Sequence, residues 1–171
     1  MIDSIREACK VSCEILEECF GNFNFKTEKD VVKFLNDKVK DKNLKVAFPP
    51  LVVSGKNFLE IHHKSDGTKL KGFVIVDFGV KVDGCCSDIT RMAFVGKPNE
   101  GELKLFNLVL DVYEKALKEI KIGENYCDLD INARVNFGEY KKYFKHSLGH
   151  GVSKKIHDKP HISPSSGDIV K

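Results

Sequence analysis

Arginine is scarce in this chain: of 28 basic residues among 171, only Arg6, Arg91 and Arg134 are arginine. Such lysine-rich, glutamate-rich usage is a weak thermophile signal, and genome composition accounts for it equally well. An excess of one charge is also missing. The 25 acidic residues leave a net charge of only +3, scattered along the chain, which argues against a nucleic-acid binder driven by a basic surface. No apolar run exceeds a handful of residues, far short of a helical membrane span. The opening MIDSIREACK lacks the basic, apolar, small-residue order of a secretory signal. The six cysteines contain no CxxC pair: Cys9, Cys13 and Cys19 fall in one expected helix, Cys85 and Cys86 are adjacent, and Cys127 is alone. Reduced thiols in a cytoplasmic protein are the expectation. Repeats, low-complexity tracts and linkers are absent as well, so residues 1–171 are expected to form a single domain.

What is present is an ordinary globular composition, 42% hydrophobic and 31% charged, with clear periodicities. Ile5, Cys9, Ser12/Cys13, Leu16 and Phe20 recur at three and four and predict a helix over 3–20. Thr27 with Glu28 and Asp30 predicts an N-cap opening a second helix whose buried side is Val31, Phe34, Leu35 and Val39. KVAFPPLVVS (45–54) reads as a strand broken by Pro49-Pro50, and Phe58–His63 as another short strand. Leu103, Phe106, Leu110, Tyr113, Leu117 and Ile120 predict a long amphipathic helix capped by Gly123. A further helix is expected from Asp128 to about Phe137. The alternation of helices and strands predicts an α+β domain.

The strongest β signal is FVIVDFGVKV and CCSDITRMAFV flanking Asp83-Gly84, a dipeptide favoured in two-residue hairpin turns. Such a turn makes cross-strand partner numbers sum to 167. Asp77 then faces Thr90, Asp88 faces Gly79, and the two aspartates share one side of the hairpin as diagonal neighbours roughly 7–8 Å apart. A loop longer by one residue would place them on opposite faces. Two convergent, partly buried carboxylates need a cation or a shared proton. Arg91 alternates to the other face, and a divalent metal supplies the charge better. The plainer alternative is that Asp77 ends a strand and Asp88 sits in a turn.

Six histidines are present, His62, His63, His146, His150, His157 and His161. Four lie within sixteen residues. The glycines of HSLGHG argue against a helical His-x-x-x-His zinc motif there, but neutral imidazoles suit borderline metals. Any one of them alone would more often be a surface residue.

FPPLVVSGKN, IHH, VIVDFG, GCCSDITRMAFVGKP, the helix before IKIG, and HSLGHGVSKKIHDKP together resemble the dinuclear metallopeptidases of the pita-bread fold, the group of methionine aminopeptidase, aminopeptidase P and prolidase. The resemblance spans nearly the whole chain. The HH and HSLGHGV…IHDKP stretches are more similar to prolidase and aminopeptidase P, which implies cleavage of peptides or dipeptides at Xaa-Pro bonds through a metal-activated water. It implies Asp77, Asp88 and His150 as metal ligands and His62 and His157 as catalytic histidines that hold substrate and stabilise the tetrahedral intermediate. His146 would line the substrate pocket. Two divalent ions, manganese, cobalt, iron or zinc, are implied per complete site, and a homodimer by analogy.

Several positions depart from the family pattern. Its last two ligands, glutamates in a C-terminal EPG-like stretch and a later strand, have no counterpart, because no glutamate follows Glu139. The pita-bread fold is therefore expected to be incomplete at the C-terminus, the short chain inactive by itself, and apolar surface exposed where the rest of a sheet would pack. Asp158 stands where glutamate is usual, Ser153 where glycine is common and Ile61 where proline is frequent. A non-catalytic peptide- or protein-binding member of the same fold is the alternative reading. A phosphate-binding role for YKKYFKH and SKKIH is less economical than a solvated basic face.

Overall fold

Thr27 at the start of the second helix accepts from the Asp30 amide, while the Asp30 carboxylate accepts from the Thr27 amide, the reciprocal cap expected from the sequence. The computed structural model describes residues 1–60 and 63–171. Its helices are α1 (Ile2–Gly21), α2 (Glu28–Asp41), α3 (Glu100–Glu119) and α4 (Tyr126–Asn136). Its strands are β1 (Lys45–Val46), β2 (Leu51–Ser54), β3 (Gly72–Phe78), β4 (Val80–Val82), β5 (Cys85–Cys86), β6 (Ile89–Val95), β7 (Gly149–Gly151) and β8 (Asp158–Ile162). They form two units: Met1–Pro98 with Val152–Ile156, and Asn99–Gly151 with His157–Lys171.

In the first unit α1 and α2 cover antiparallel sheets ordered β2-β3-β6 and β1-β4-β5. The buried positions of β3 alternate: Val74, Val76 and Phe78 pack with Ala8, Ile15, Leu16, Cys19, Val31, Leu35 and Val52. Phe73, Ile75 and Asp77 therefore point to the opposite face. On α1 the buried line is Ala8, Val11, Ser12, Ile15, Leu16 and Cys19. That is turned from the expected line, leaving Ile5, Cys9, Cys13 and Phe20 half-buried. All six cysteines are thiols.

The hairpin has the expected register. Val82 pairs with Cys85, Lys81 with Cys86, Asp77 with Thr90, and Gly72 with Val95. Asp83 and Gly84 both have positive φ, 50° and 79°, as the twist of a two-residue hairpin demands. Between the two ladder segments the strands close up at Gly79. A Cβ there would lie 1.9 Å from the Ser87 carbonyl oxygen. Ser87 Oγ accepts from the Val80 amide at 2.9 Å and lies 2.7 Å from Ser12 Oγ, fastening this crossing to α1.

Of the strand expected over Phe58–His63, the described residues Phe58–Glu60 and His63 are not in a strand. Gly55, with φ 58°, opens a 3-10 turn over Gly55–Leu59, and the Glu60 amide closes on the Asn57 carbonyl at 3.0 Å. A short apolar pattern cannot distinguish that turn from an extended run. Ile61 and His62 lie outside the described residues.

In the second unit, α3 ends at Glu119 with Ile120 as C-cap, so Gly123 (φ 94°) lies beyond the helix end instead of capping it. α4 begins two residues before Asp128, after Asn125. The stripe on α3 is in the expected positions but open to solvent: Leu103, Phe106, Leu110, Tyr113, Leu117 and Ile120 are all exposed, and only Val112 is buried. Among the described residues this unit offers α4 and the β7-β8 ribbon, with no broad sheet to receive the stripe.

Gly79→Ala is expected to cost about 3 kcal/mol by forcing the strands apart, lowering the melting temperature by roughly 5–10 °C. Gly67→Ala, with no neighbour within 4 Å of the added carbon, should change stability by less than about 0.5 kcal/mol. Thermal unfolding of the two variants checks the difference.

Candidate metal centre

Asp77 is the last outward-facing residue of β3, and Asp88 precedes β6, so the hairpin register places both on the face away from the helices. Thr90, directly across from Asp77, donates its hydroxyl to Asp77 Oδ1 at 2.9 Å and fixes that side chain. Burial pushes the Asp77 carboxyl up to about 6, and the neighbouring Asp88 carboxylate adds to the rise against the opposing Thr90 hydrogen bond. No cationic side chain is among the causes of that shift. A paired, half-buried donor set of hard oxygens, in which burial above all holds Asp77 up in pKa, fits a divalent cation.

In the second unit, His150 sits in β7 opposite His161 of β8. Its Nδ1 lies 3.0 Å from the Gly151 carbonyl oxygen. An N–H at Nδ1 satisfies that contact and puts the lone pair on Nε2, the arrangement typical of a metal-binding imidazole. The His150 and His157 rings meet edge-on with centroids 4.3 Å apart. His146 is exposed, edges Phe144 at 4.7 Å, and has Nδ1 2.8 Å from the Ser147 carbonyl. Thus the structure brings Asp77 to Asp88 and His150 to His157. His62 lies outside the described residues.

Two buried carboxylates, Asp130 and Glu28, whose partners the sequence does not reveal, hold the surrounding segments. Asp130 of α4 receives the Arg134 guanidinium and, at 2.7 Å, the Leu148 amide, while Arg134 also donates to the Phe144 and His146 carbonyls, each at 2.8 Å. Glu28, fully buried at the first turn of α2, accepts from the Ser54 amide (2.9 Å), Asn57 Nδ2 (3.0 Å), His63 Nε2 (2.7 Å) and the Asp66 amide (3.0 Å). The Glu28 contact holds the His63 imidazole above its usual pKa, against the effect of burial. Glu28, His63 and Asp66 have ligand atoms within 4.8 Å of one another. Because the Glu28 oxygens already take four donors, and Asp66 Oδ1 takes the Thr68 amide, hydrogen bonding accounts for this group without a metal. An acid at the start of a helix reads in sequence only as a complement to its dipole, which hid the role of Glu28.

Residues 3–171 match the model of metallopeptidase family M24. The chain belongs to that family. It is 38% identical over 121 residues to an uncharacterised peptidase of Methanocaldococcus jannaschii, covering 71% of this chain and 35% of that protein. It is 30% identical over 176 residues to the Xaa-Pro dipeptidase of Pyrococcus furiosus, covering 99% and 51%. The crystal structure of a Thermococcus sibiricus prolidase superposes with a TM-score of 0.92 at 30% identity, covering 99% of this chain and 48% of that one. The α+β, pita-bread expectation is thereby borne out. The chain spans about half the length of these relatives or less. No helix among the described residues is long and apolar enough to cross a membrane.

Because the native pKa of Asp77, about 6, exceeds its unfolded value of about 3.9, its contribution to stability is full below pH ~4 and is lost as pH rises through about 6. Asp77→Asn, which keeps an acceptor for Thr90, is therefore expected to melt a few degrees above the parent chain at pH 7.5 in chelator. The two should converge near pH 4. Equal melting curves at pH 7.5 would show that the carboxylate is not held against its own ionisation.

Proposed function

We propose that this chain is part of the catalytic domain of a metal-dependent exopeptidase that acts on peptides or dipeptides, with Xaa-Pro bonds as its substrates. The observation that carries the reading is the Asp77–Asp88 pair, two carboxylates on one face of a register-fixed hairpin, one with its pKa raised. The family match and the Xaa-Pro dipeptidase likeness support it. The ligand set we assign is Asp77, Asp88 and His150, with manganese, cobalt, iron or zinc as the metal. His157 and His62 are assigned to substrate and to the tetrahedral intermediate, and His146 to the pocket lining.

When bound, the metal supplies Lewis acidity and a hydrolytic water of lowered pKa. The chain's own residues prepare for it. Thr90 holds the Asp77 rotamer, and the Gly151 carbonyl orients the His150 ring. An imidazole N–H at His157 or His62 would donate to the carbonyl oxygen as negative charge develops there. The family pattern completes its site with two glutamates. Three ligands hold one ion loosely and leave the second without enough donors, so the 171-residue chain alone is inactive on this reading.

The test is calorimetric titration with manganese and with zinc, alongside an Xaa-Pro dipeptide cleavage assay. It is run on this chain and on a form extended past Lys171 by whatever coding sequence follows. The expected result is weak binding of one ion and no cleavage for the short chain, and two ions with cleavage for the extended form. Asp77→Ala should weaken binding by ~100-fold or more and abolish cleavage. If the extended form carries the glutamates yet binds no metal, and Asp77→Ala changes nothing, the carboxylates are structural and the protein is a binding member of the fold.

A further inference from the structure

We propose that Arg134, held by Asp130, is a positioning residue for His146; the part of this statement that concerns substrate rests on the pocket role assigned to His146 above. Asp130 and Arg134 lie four apart on α4. Arg134 Nε donates to Asp130 Oδ1, and Nη2 donates to Oδ2 at 3.3 Å. The remaining N–H groups of the guanidinium reach the chain beyond the helix. Nη1 donates to the Phe144 carbonyl and Nη2 to the His146 carbonyl, each at 2.8 Å. The guanidinium also lies over the Phe144 ring, 4.7 Å from its centroid, and the His146 ring meets that same ring edge-on at 4.7 Å. Arg134 thus reaches His146 by two routes, one through its own carbonyl and one through Phe144. Asp130 closes the grip by accepting the Leu148 amide at 2.7 Å. The His146 ring follows the backbone so held, because its Nδ1 lies 2.8 Å from the carbonyl of Ser147, the residue between the two anchored ones.

Helix stability does not account for the pair. An acid four residues before a base supports an exposed helix without being buried, yet Asp130 is completely buried, at a cost that an apolar side chain of similar size would avoid. Neutralising Asp130 does not account for the arginine either. Lysine would supply the same charge, and this chain uses lysine at all but three of its 28 basic positions. What arginine adds is a planar fork, which pairs a carboxylate along one edge, reaches two carbonyls with its other N–H groups and keeps its face on an aromatic ring. A lysine ammonium has no flat face and cannot span those acceptors. Residues 144–148 belong to neither helix nor strand, so no regular ladder sets their course. The contacts from α4 set it instead, and a satisfied network of this kind specifies one geometry in place of many. The side chain whose backbone, ring neighbour and ring acceptor all lie within that network is His146.

The experiment reads His146 directly and needs no activity. Histidine ring nitrogens of the 171-residue chain are labelled with 15N, and the His146 signals are identified by their loss in His146→Gln. Arg134→Lys is expected to shift and broaden them while those of His161, in the same unit, and His63 stay in place. Arg134→Ala should do the same. Methylguanidinium added to Arg134→Ala should restore the parent signals, since the Arg134 side chain is 27% exposed and its place opens to solvent. Added to Arg134→Lys, where the place is filled, it should restore nothing. Unmoved His146 signals in folded Arg134→Lys and Arg134→Ala would overturn the proposal, and so would His161 signals that move as far as those of His146. Loss of folding in both variants would also overturn it, since the pair would then be a general core element. In any form that cleaves an Xaa-Pro dipeptide, Arg134→Lys should raise KM by roughly 3–10-fold with a smaller change in kcat, the loss expected for one substrate contact out of place. An unchanged KM there would overturn the part that concerns substrate. Ring signals that move as expected with no cleavage in any form would sink the peptidase reading and leave the positioning of His146 standing.

Discussion

The antiparallel register set by Asp83-Gly84 is the constraint on which the carboxylate centre depends. Both turn residues need positive φ, and with those two satisfied every pair from Val82–Cys85 to Gly72–Val95 keeps the same sum. A one-residue slip would turn Asp77 into the helical core and bring Val76 out. The buried line Val74, Val76, Phe78 resists that slip, because it would expose three side chains and bury a charge. Hydrophobic burial on one face therefore holds the charges on the other. The close approach at Gly79 and the Ser12–Ser87 contact tie the same hairpin to α1, so the position of Asp88, one residue beyond Ser87, follows from packing against a helix.

Much of this was legible in the sequence, for identifiable reasons. The hairpin was readable because its turn chemistry is local and its pattern has a strict period of two. The α2 cap was readable because Thr27 and Asp30 are three residues apart on the chain. The 3-10 turn at Gly55–Leu59 was not, since what bends it is a positive φ at Gly55 and an inward-turned Asn57 whose partner, Glu28, lies 29 residues away. The α3 stripe shows the opposite failure. Its periodicity was read correctly, but periodicity reports only that a face is apolar. Whether that face is covered depends on what packs there, and Leu103 and Leu110 stay exposed.

The carboxylates divide by the company they keep, and that division is the best physical argument for where a cation belongs. Glu28 and Asp130 are both completely buried, more so than Asp77. Burial alone would make them the stronger candidates. Yet Glu28 accepts from four donors, and Asp130 from a guanidinium and an amide. Their charge is already compensated by protein groups, and a metal would have to displace them. Asp77 accepts from the Thr90 hydroxyl and the Phe78 amide and faces another acid, with no cation among the causes of its shift. Burial and the Asp88 carboxylate together hold the Asp77 carboxyl up, to about 6. The proposed cation therefore belongs with the outward pair on the hairpin, where a metal would relieve the cost of burying Asp77 as a carboxylate, and not with the deeper carboxylates, whose donors it would have to displace.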